Sequence, residues 1–208
     1  MSSAKLRGLY AITDETLIAE SIFVATIEQA LRGGAAIIQY RDKSANTARR
    51  LEQATALRTL CNQYHASLII NDDTRLAKAV EADGVHLGED DVSIEQARQI
   101  LGDEAVIGIS CYNQLQRAVK AQAAGADYVA FGAMFTSPTK PHARSASCEL
   151  IHEAKSQLEI PVCAIGGIDK SNVAQVIGSG ADMAALISGL FSEGDIRLAA
   201  EHISRLFE

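Results

Sequence analysis

Ser67-Leu-Ile-Ile-Asn-Asp-Asp-Thr-Arg-Leu-Ala-Lys-Ala-Val-Glu-Ala-Asp-Gly-Val-His-Leu87 is the stretch that decides the fold. It opens with a short apolar run ending at Asn71 and passes through a segment that Asp73 is placed to cap as a helix. It closes with a second apolar run, Gly84-Val-His-Leu87. Both runs are continuous rather than alternating, as strands buried on both faces of a parallel sheet should be. The segment between them then reads as a crossover helix, the connection that parallel neighbours need.

The same unit recurs in both directions. Further apolar runs are Gly8-Leu-Tyr-Ala-Ile-Thr13, Ala36-Ile-Ile-Gln-Tyr40, Val106-Ile-Gly-Ile-Ser110, Tyr128-Val-Ala-Phe131, Val162-Cys-Ala-Ile165 and Met183-Ala-Ala-Leu-Ile187, which brings the total to eight. Amphipathic segments lie between them, among them Asn46 to Tyr64, Ser93 to Leu101, Asn113 to Ala124 and Asn172 to Ser179. An internal echo, Gly34-Ala-Ala, Ala82-Asp-Gly, Gly125-Ala-Asp and Gly180-Ala-Asp, is read as a series of helix ends with glycine in the left-handed cap. Eight units of about 26 residues use the full 208. The expectation is a single α/β domain over residues 1–208, a (β/α)8 TIM barrel of parallel strands; an open doubly wound sheet would need fewer units.

Composition narrows the function classes. Nineteen Lys and Arg against 26 Asp and Glu give a net charge of −7, so the basic excess needed to bind a nucleic-acid backbone is missing. Hydrophobic residues at 48% and charged residues at 22% suit a soluble globular protein. Aromatics are 5% with no Trp, which leaves few platforms for stacking bases or sugars. Cys61, Cys111, Cys148 and Cys163 show no zinc spacing and are expected to be free thiols in a reducing cytoplasm. The apolar stretch after Lys5 and Arg7 is too short for a signal-peptide core, and no run reaches membrane-spanning length. A soluble cytoplasmic protein is expected, with no membrane and no nucleic-acid partner; nothing in the sequence sets an oligomeric state.

Barrel active sites lie at the C-terminal ends of the strands, so the polar residues after each apolar run are the candidates. The second run ends in Gln39-Tyr-Arg-Asp-Lys43, where period two puts Gln39, Arg41 and Lys43 on one face. Two cations with a donor suit a polyphosphate, against the plainer reading of a solvated basic loop. The third run ends in Asn71-Asp72-Asp73 and the fourth is followed by Glu89-Asp90-Asp91. Carboxylates at adjacent strand ends, opposite those cations, suit Mg²⁺ completed by substrate phosphate; alternatively Asp73 caps a helix and Glu89 and Asp90 are solvated loop charges. Ser110 ends the fifth run and is either a donor to a leaving group or a turn residue. The sixth leads into Phe135-Thr-Ser-Pro-Thr-Lys-Pro141, a hydroxyl-rich loop with one cation that binds phosphate or simply turns the chain. Gly166-Gly167 and Ser188-Gly189 follow the seventh and eighth runs, where barrels often bind phosphate through backbone N–H groups. His86 is read as a core histidine rather than a catalyst. No Ser/His/Asp set, Walker A loop or Rossmann fingerprint is present.

Together these residues resemble the thiamine phosphate synthase family, the enzymes that join the pyrimidine and thiazole halves of vitamin B1. The resemblance runs from Leu9-Tyr-Ala-Ile-Thr13 to Ala185-Leu-Ile-Ser188. It is carried by Gln39-x-Arg41-x-Lys43, Asn71-Asp72, Gly84-Val-His-Leu-Gly88 with Asp91, Thr139-Lys140 and Ala164-Ile-Gly-Gly-Ile168. It implies that Gln39, Arg41, Lys43, Asn71, Ser110 and Lys140 hold 4-amino-5-hydroxymethyl-2-methylpyrimidine diphosphate, with Arg41, Lys43, Ser110 and Lys140 serving the chemistry. It implies Mg²⁺ on Asp72 and Asp91, and the thiazole phosphate against Ser137, Pro138, Thr139, Gly167, Ile187 and Ser188. In one departure, Thr136-Ser137-Pro138-Thr139-Lys140 stands where the family has Pro-Thr-x-Thr-Lys; the hydroxyl survives in Ser137 and the proline is displaced.

The implied reaction loses diphosphate to leave a pyrimidine methyl cation that the thiazole nitrogen captures, which asks for charge neutralisation and positioning rather than a general base. Two alternatives stand beside it. A thiazole tautomerase on the same barrel would share the thiazole phosphate site but need no diphosphate residues. A non-catalytic phosphate-ligand sensor would need neither the metal ligands nor the diphosphate cations.

Overall fold

Strand and helix alternate along the chain in this computed structural model, which describes residues 6–135 and 145–208. The elements are β1 (Gly8–Ile12), α1 (Phe23–Arg32), β2 (Ile37–Tyr40), α2 (Thr47–Tyr64), β3 (Ser67–Asn71), α3 (Thr74–Ala79), β4 (Gly84–Leu87), α4 (Ile94–Leu101) and β5 (Val106–Tyr112). They continue with α5 (Leu115–Ala123), β6 (Tyr128–Phe131), α6 (Cys148–Gln157), β7 (Val162–Ile165), α7 (Val173–Gly178), β8 (Met183–Leu186), α8 (Ser188–Phe191) and α9 (Ile196–Arg205). All neighbours pair parallel and in sequence order, and β1 closes on β8 through Gly8 opposite Met183. The expected (β/α)8 barrel is present.

Continuous apolar strands are needed because each buries side chains on two sides. One set, including Leu9, Ile38, Leu68, Ile70, Val85, Ile107, Val129, Ala164 and Leu186, packs outward with the helices. The other phase, including Tyr10, Ile37, Ile69, Val106, Tyr128, Cys163 and Met183, fills the barrel interior. Toward the C-terminal ends this inner phase turns polar, at Gln39, Asn71, His86 and Ser110, while Ser67 lies at the opposite end of β3. The functional end is thereby set apart from the packed end.

The echo seen in the sequence has two structural causes. Gly34, Gly125 and Gly180 do adopt positive φ after their helices. Ala82-Asp83-Gly84 departs from that expectation: Glu81 takes the left-handed conformation, and Gly84 is already in β4. A Cβ on Gly84 would lie 1.9 Å from the Val106 carbonyl oxygen, so glycine is there for close strand approach. The recurring aspartates are clamps at the N-terminal end of the barrel. Asp83 accepts from Leu68 N–H at 2.7 Å and from Arg58 at 2.7 Å. Asp127 accepts from Ile107 N–H at 2.7 Å and Arg98 at 2.6 Å, and Asp182 from Val162 N–H and Lys155, both at 2.7 Å. Each ties an even strand, the preceding odd strand and the helix before it into one corner.

Side-chain caps form at Asn46, Asp73 and Ser93 as the sequence suggested, but not at the starts expected at Asn113 and Asn172, where α5 and α7 lack a side-chain cap bond. Asn46, Asp73, Ser93 and Ser147 each accept from a backbone N–H of the first turn, Ser93 within a capping box with Gln96. The four cysteines are free thiols. Among the described residues no helix is long and apolar enough to cross a membrane.

Candidate active site

Alternation continues past the end of β2 and sorts its polar residues. Tyr40 and Asp42 face the helix layer, where Tyr40 reaches Gln53 at 3.0 Å and buried Asp42 is clamped by Arg49 at 2.8 Å. Burial alone would raise the Asp42 carboxyl, but the Ser44 and Arg49 hydrogen bonds hold it below the usual range. Gln39, Arg41 and Lys43 belong to the other phase, as expected. Gln39 is buried inside the barrel and donates to the Tyr10 hydroxyl at 2.7 Å. Arg41 is held at the mouth by its backbone and its charge. Its N–H donates to Thr13 Oγ1 at 2.9 Å, and its guanidinium lies 3.7 Å from Asp14 and 4.0 Å from Glu15. The sequence reading passed over these two acids after β1.

Lys43 differs from the expectation of cations lying opposite the acids, because its ammonium bonds directly to the Asp72 carboxylate. The two positions sit at the ends of adjacent strands, so the side chains meet across one strand spacing. Asp72 has φ 62°, the left-handed region that Asp tolerates better than most residues, and its N–H donates to the His86 carbonyl at 2.9 Å. Asp73 turns away: it caps α3 through Leu76 N–H and pairs with Arg50 at 2.8 Å. Glu89 and Asp90 are exposed, which fits the plainer reading of each, whereas Asp91 turns back and accepts from Gly88 N–H at 2.6 Å.

The Asp91 carboxyl also interacts with that of Asp72. Burial and the facing Asp72 carboxylate hold the Asp91 carboxyl above the usual range, against the pull of Gly88 N–H and Lys43. Neighbouring carboxylates favour a cation between them. They supply hard oxygen donors, the kind Mg²⁺ prefers. Among the described residues no group of three or more His, Cys, Asp or Glu forms a self-sufficient metal cage. The pair therefore fits an ion that takes its remaining ligands from substrate and water.

The floor of the mouth comes from β4 and β5. His86 places Nδ1 2.9 Å from the Tyr128 hydroxyl and Nε2 2.9 Å from Ser110 Oγ. Burial pulls its pKa down to about 4, so the ring is neutral near pH 7. The ladder between β5 and β6 shifts register between Ser110 and Tyr112, an irregularity of the kind that re-aims side chains beside active sites. Arg117, also passed over in the sequence, fastens this corner. Its Nε donates to the Ser110 carbonyl at 2.8 Å, and its guanidinium lies 5.8 Å from the Tyr112 ring centroid and 3.8 Å from Glu89.

On the far side, Phe135 N–H donates to the Gly166 carbonyl at 2.9 Å and Met134 N–H to the Ile165 carbonyl at 3.0 Å. These bonds stitch the chain after β6 to the end of β7. Gly167 has φ 67°, and a Cβ there would lie 2.6 Å from the Phe135 carbonyl oxygen, so the approach admits only glycine. The short helix α8 follows β8 at once, with Ile187 preceding it and Ser188 as its first residue. Gly167, Ile187 and Ser188 thus sit at adjacent strand ends. Ser137, Pro138, Thr139 and Lys140 lie outside the described residues.

The family model for thiamine monophosphate synthase matches residues 9–190. A thiamine-phosphate synthase of Nitrosococcus oceani is 54% identical over 198 residues, covering 95% of this chain and 91% of that protein. One from Thioalkalivibrio sulfidiphilus is 52% identical over 204 residues, covering 98% and 97%. Among solved structures, thiamine phosphate pyrophosphorylase from Pyrococcus furiosus superposes with a TM-score of 0.90 at 38% identity, covering 99% of this chain and 96% of that one. A geranylgeranylglyceryl phosphate synthase from Thermoplasma acidophilum, at 16% identity and a TM-score of 0.71, shares the fold alone. With a closed eight-stranded barrel and a family match over nearly its whole length, this chain belongs to the thiamine monophosphate synthase family.

Proposed function

We propose that this protein joins 4-amino-5-hydroxymethyl-2-methylpyrimidine diphosphate to 4-methyl-5-(2-phosphoethyl)thiazole, or its carboxylated form, giving thiamine phosphate and diphosphate, with carbon dioxide also released from the carboxylated form. The observation that carries the reading is the cluster after β2, β3 and β4: Lys43 bonds to Asp72, both act on the Asp91 carboxyl, and Arg41, held by Asp14 and Glu15, follows the same strand as Lys43. A tautomerase has no use for such a diphosphate site, and a sensor has no use for a leaving-group site.

In this reading Gln39, Arg41, Lys43, Asn71, Ser110 and Lys140 hold the pyrimidine diphosphate, and Asp72 and Asp91 hold Mg²⁺. The thiazole phosphate lies against Ser137, Pro138, Thr139, Gly167, Ile187 and Ser188. Bound Mg²⁺ supplies neutralisation of negative charge on the diphosphate oxygens. Arriving diphosphate oxygens replace Asp72 as the partner of Lys43, which leaves that carboxylate to the metal. Asp14 and Glu15 keep the Arg41 guanidinium at the mouth.

The carbon–oxygen bond to diphosphate then breaks, and its electron pair leaves with the oxygen. Arg41, Lys43 and Lys140 offset the charge that develops there, and the Ser110 hydroxyl donates to it. The pyrimidine methyl cation is stabilised by its own ring amino group. The thiazole nitrogen supplies the electron pair for the new carbon–nitrogen bond. No proton has to be removed from the nucleophile, so the residues need only orient it and keep water from the cation.

Purified protein mixed with both substrates and Mg²⁺ is expected to form thiamine phosphate, read by chromatography. Isomerised thiazole phosphate without thiamine phosphate would overturn the proposal in favour of a tautomerase. Binding of either substrate with no product would favour a sensor.

A further inference from the structure

Five polar side chains from five strands form one unbroken hydrogen-bonded chain across the barrel interior. Gln39 Nε2 donates to the Tyr10 hydroxyl at 2.7 Å, and the Tyr10 and Tyr128 hydroxyls lie 2.8 Å apart. Tyr128 then meets His86 Nδ1 at 2.9 Å, and His86 Nε2 meets Ser110 Oγ at 2.9 Å. Ring packing holds the middle: Tyr10 meets Tyr128 edge-on at 6.1 Å and His86 stacks on Tyr128 at 5.6 Å.

Each hydroxyl has one proton to place, and Tyr10 and Tyr128 are 1% and 0% exposed, out of reach of water. With the Gln39 amide nitrogen facing Tyr10, as the structure has it, the Tyr10 oxygen accepts, and its own proton has Tyr128 as acceptor. The Tyr128 proton then goes to His86 Nδ1. An Nδ1 that accepts leaves the ring hydrogen on Nε2, which donates to Ser110 Oγ. The Ser110 proton finds no hydrogen-bond acceptor among the described residues, and Ser110 stands partly exposed toward the C-terminal end of β5, at the mouth.

We infer that Tyr10, Tyr128 and His86 are positioning residues that form a one-way relay, fixing Ser110 as a hydrogen-bond donor at the mouth and locking the orientation of Gln39. The inference rests on the proposed function for what Ser110 donates to, an oxygen of the departing diphosphate. An imidazolium would break the relay, because Nδ1–H would turn the Tyr128 proton back onto Tyr10 and leave the buried Tyr10 proton unplaced. The relay explains why a histidine that the catalytic chemistry does not need lies beside the reaction site. It also explains why two tyrosines occupy the barrel interior among mostly smaller side chains.

The test begins with ¹⁵N NMR of histidine-labelled, ligand-free protein, with the His86 signals identified by their loss in His86→Asn. The Nε2–H tautomer is expected; the Nδ1–H tautomer, or averaging between the two, overturns the relay. Tyr128→Phe keeps the ring and removes only the hydroxyl, so the tautomer preference is expected to be lost, and an unchanged preference also overturns it. The second arm is kinetic. An Asn carboxamide reaches the Nδ1 position but not Nε2, so His86→Asn and Ser110→Ala should each lower kcat by about tenfold to a hundredfold, with the thiazole phosphate KM unmoved. The double variant should be no slower than Ser110→Ala, since His86 acts through Ser110; losses that multiply overturn the inference. The tautomer is read without substrate, so a wild-type protein that makes no thiamine phosphate would refute the proposed function while the NMR result still judges the relay.

Discussion

The ammonium of Lys43 donates to the carboxylate of Asp72 across the ends of β2 and β3. Opposite charges at the mouth are thus paired with each other before any substrate binds, which is how a chain of net charge −7 keeps cations where a diphosphate must arrive. Asp72→Asn should lower kcat by about a hundredfold or more and raise the Mg²⁺ concentration needed, with the thermal midpoint kept. Lys43→Ala should raise the pyrimidine diphosphate KM by about tenfold, the worth of one charge-assisted hydrogen bond. Steady-state kinetics over a Mg²⁺ series, alongside thermal melts, checks both; near-normal turnover in Asp72→Asn would remove it from the site. A chelator should stop turnover, with full recovery on adding Mg²⁺.

The three aspartate clamps carry stability rather than activity. Each joins a charged side chain and a backbone N–H at the end of the barrel away from the mouth. Asp83→Ala, Asp127→Ala and Asp182→Ala should each cost about 2 kcal/mol, and pairs of these substitutions should add, because the clamps share no partner. Urea unfolding measures the losses; kcat/KM of the folded variants should stay near wild type.

Gly108 makes room for Tyr128. A Cβ on Gly108 would lie 2.0 Å from Tyr128 Cζ, inside the barrel where the ring has no free space. Gly108→Ala should therefore destabilise by about 1–3 kcal/mol and displace the Tyr128 hydroxyl from His86. Thermal unfolding reads the first effect, and the ¹⁵N signals of His86 read the second.

His86 gives stability a dependence on pH. Its folded pKa is about 4, against an ordinary 6.5, because burial disfavours the charged ring. As pH falls below 6.5 the unfolded chain takes the proton first, so stability is lost down to the folded value and no further below it. The full loss from this group is about 3 kcal/mol. Unfolding free energies of wild type should decline more steeply than those of His86→Asn between these two values; parallel curves would contradict the assignment.

Much of the architecture was legible because parallel strands buried on two faces must be continuous apolar runs, and eight such runs at even spacing leave few other arrangements. The cluster around Gln39, Arg41 and Lys43 was legible for a similar reason: period two runs on past the strand end, and Tyr40 and Asp42 duly face the other way. The aspartates after the recurring alanines were harder, since their partners Arg58, Arg98 and Lys155 lie on the helix before the preceding strand. Only the closed barrel brings those positions together. Asp14 and Glu15 read as ordinary acids after β1 until closure placed Arg41 beside them. Tyr10 and Tyr128 hid inside runs that read as wholly apolar. Their signal was parity, since Tyr10, Gln39, Tyr128 and His86 all fall on the inward phase of their strands.

The central claim is that this barrel couples departure of diphosphate to formation of the bond between the two rings. ³¹P NMR of protein, Mg²⁺, pyrimidine diphosphate and thiazole phosphate follows both phosphorus-bearing products in one tube. Thiamine phosphate and diphosphate should rise in equal amounts, and only with both substrates present. Diphosphate released without matching thiamine phosphate, or thiazole phosphate consumed with no diphosphate, would contradict the account.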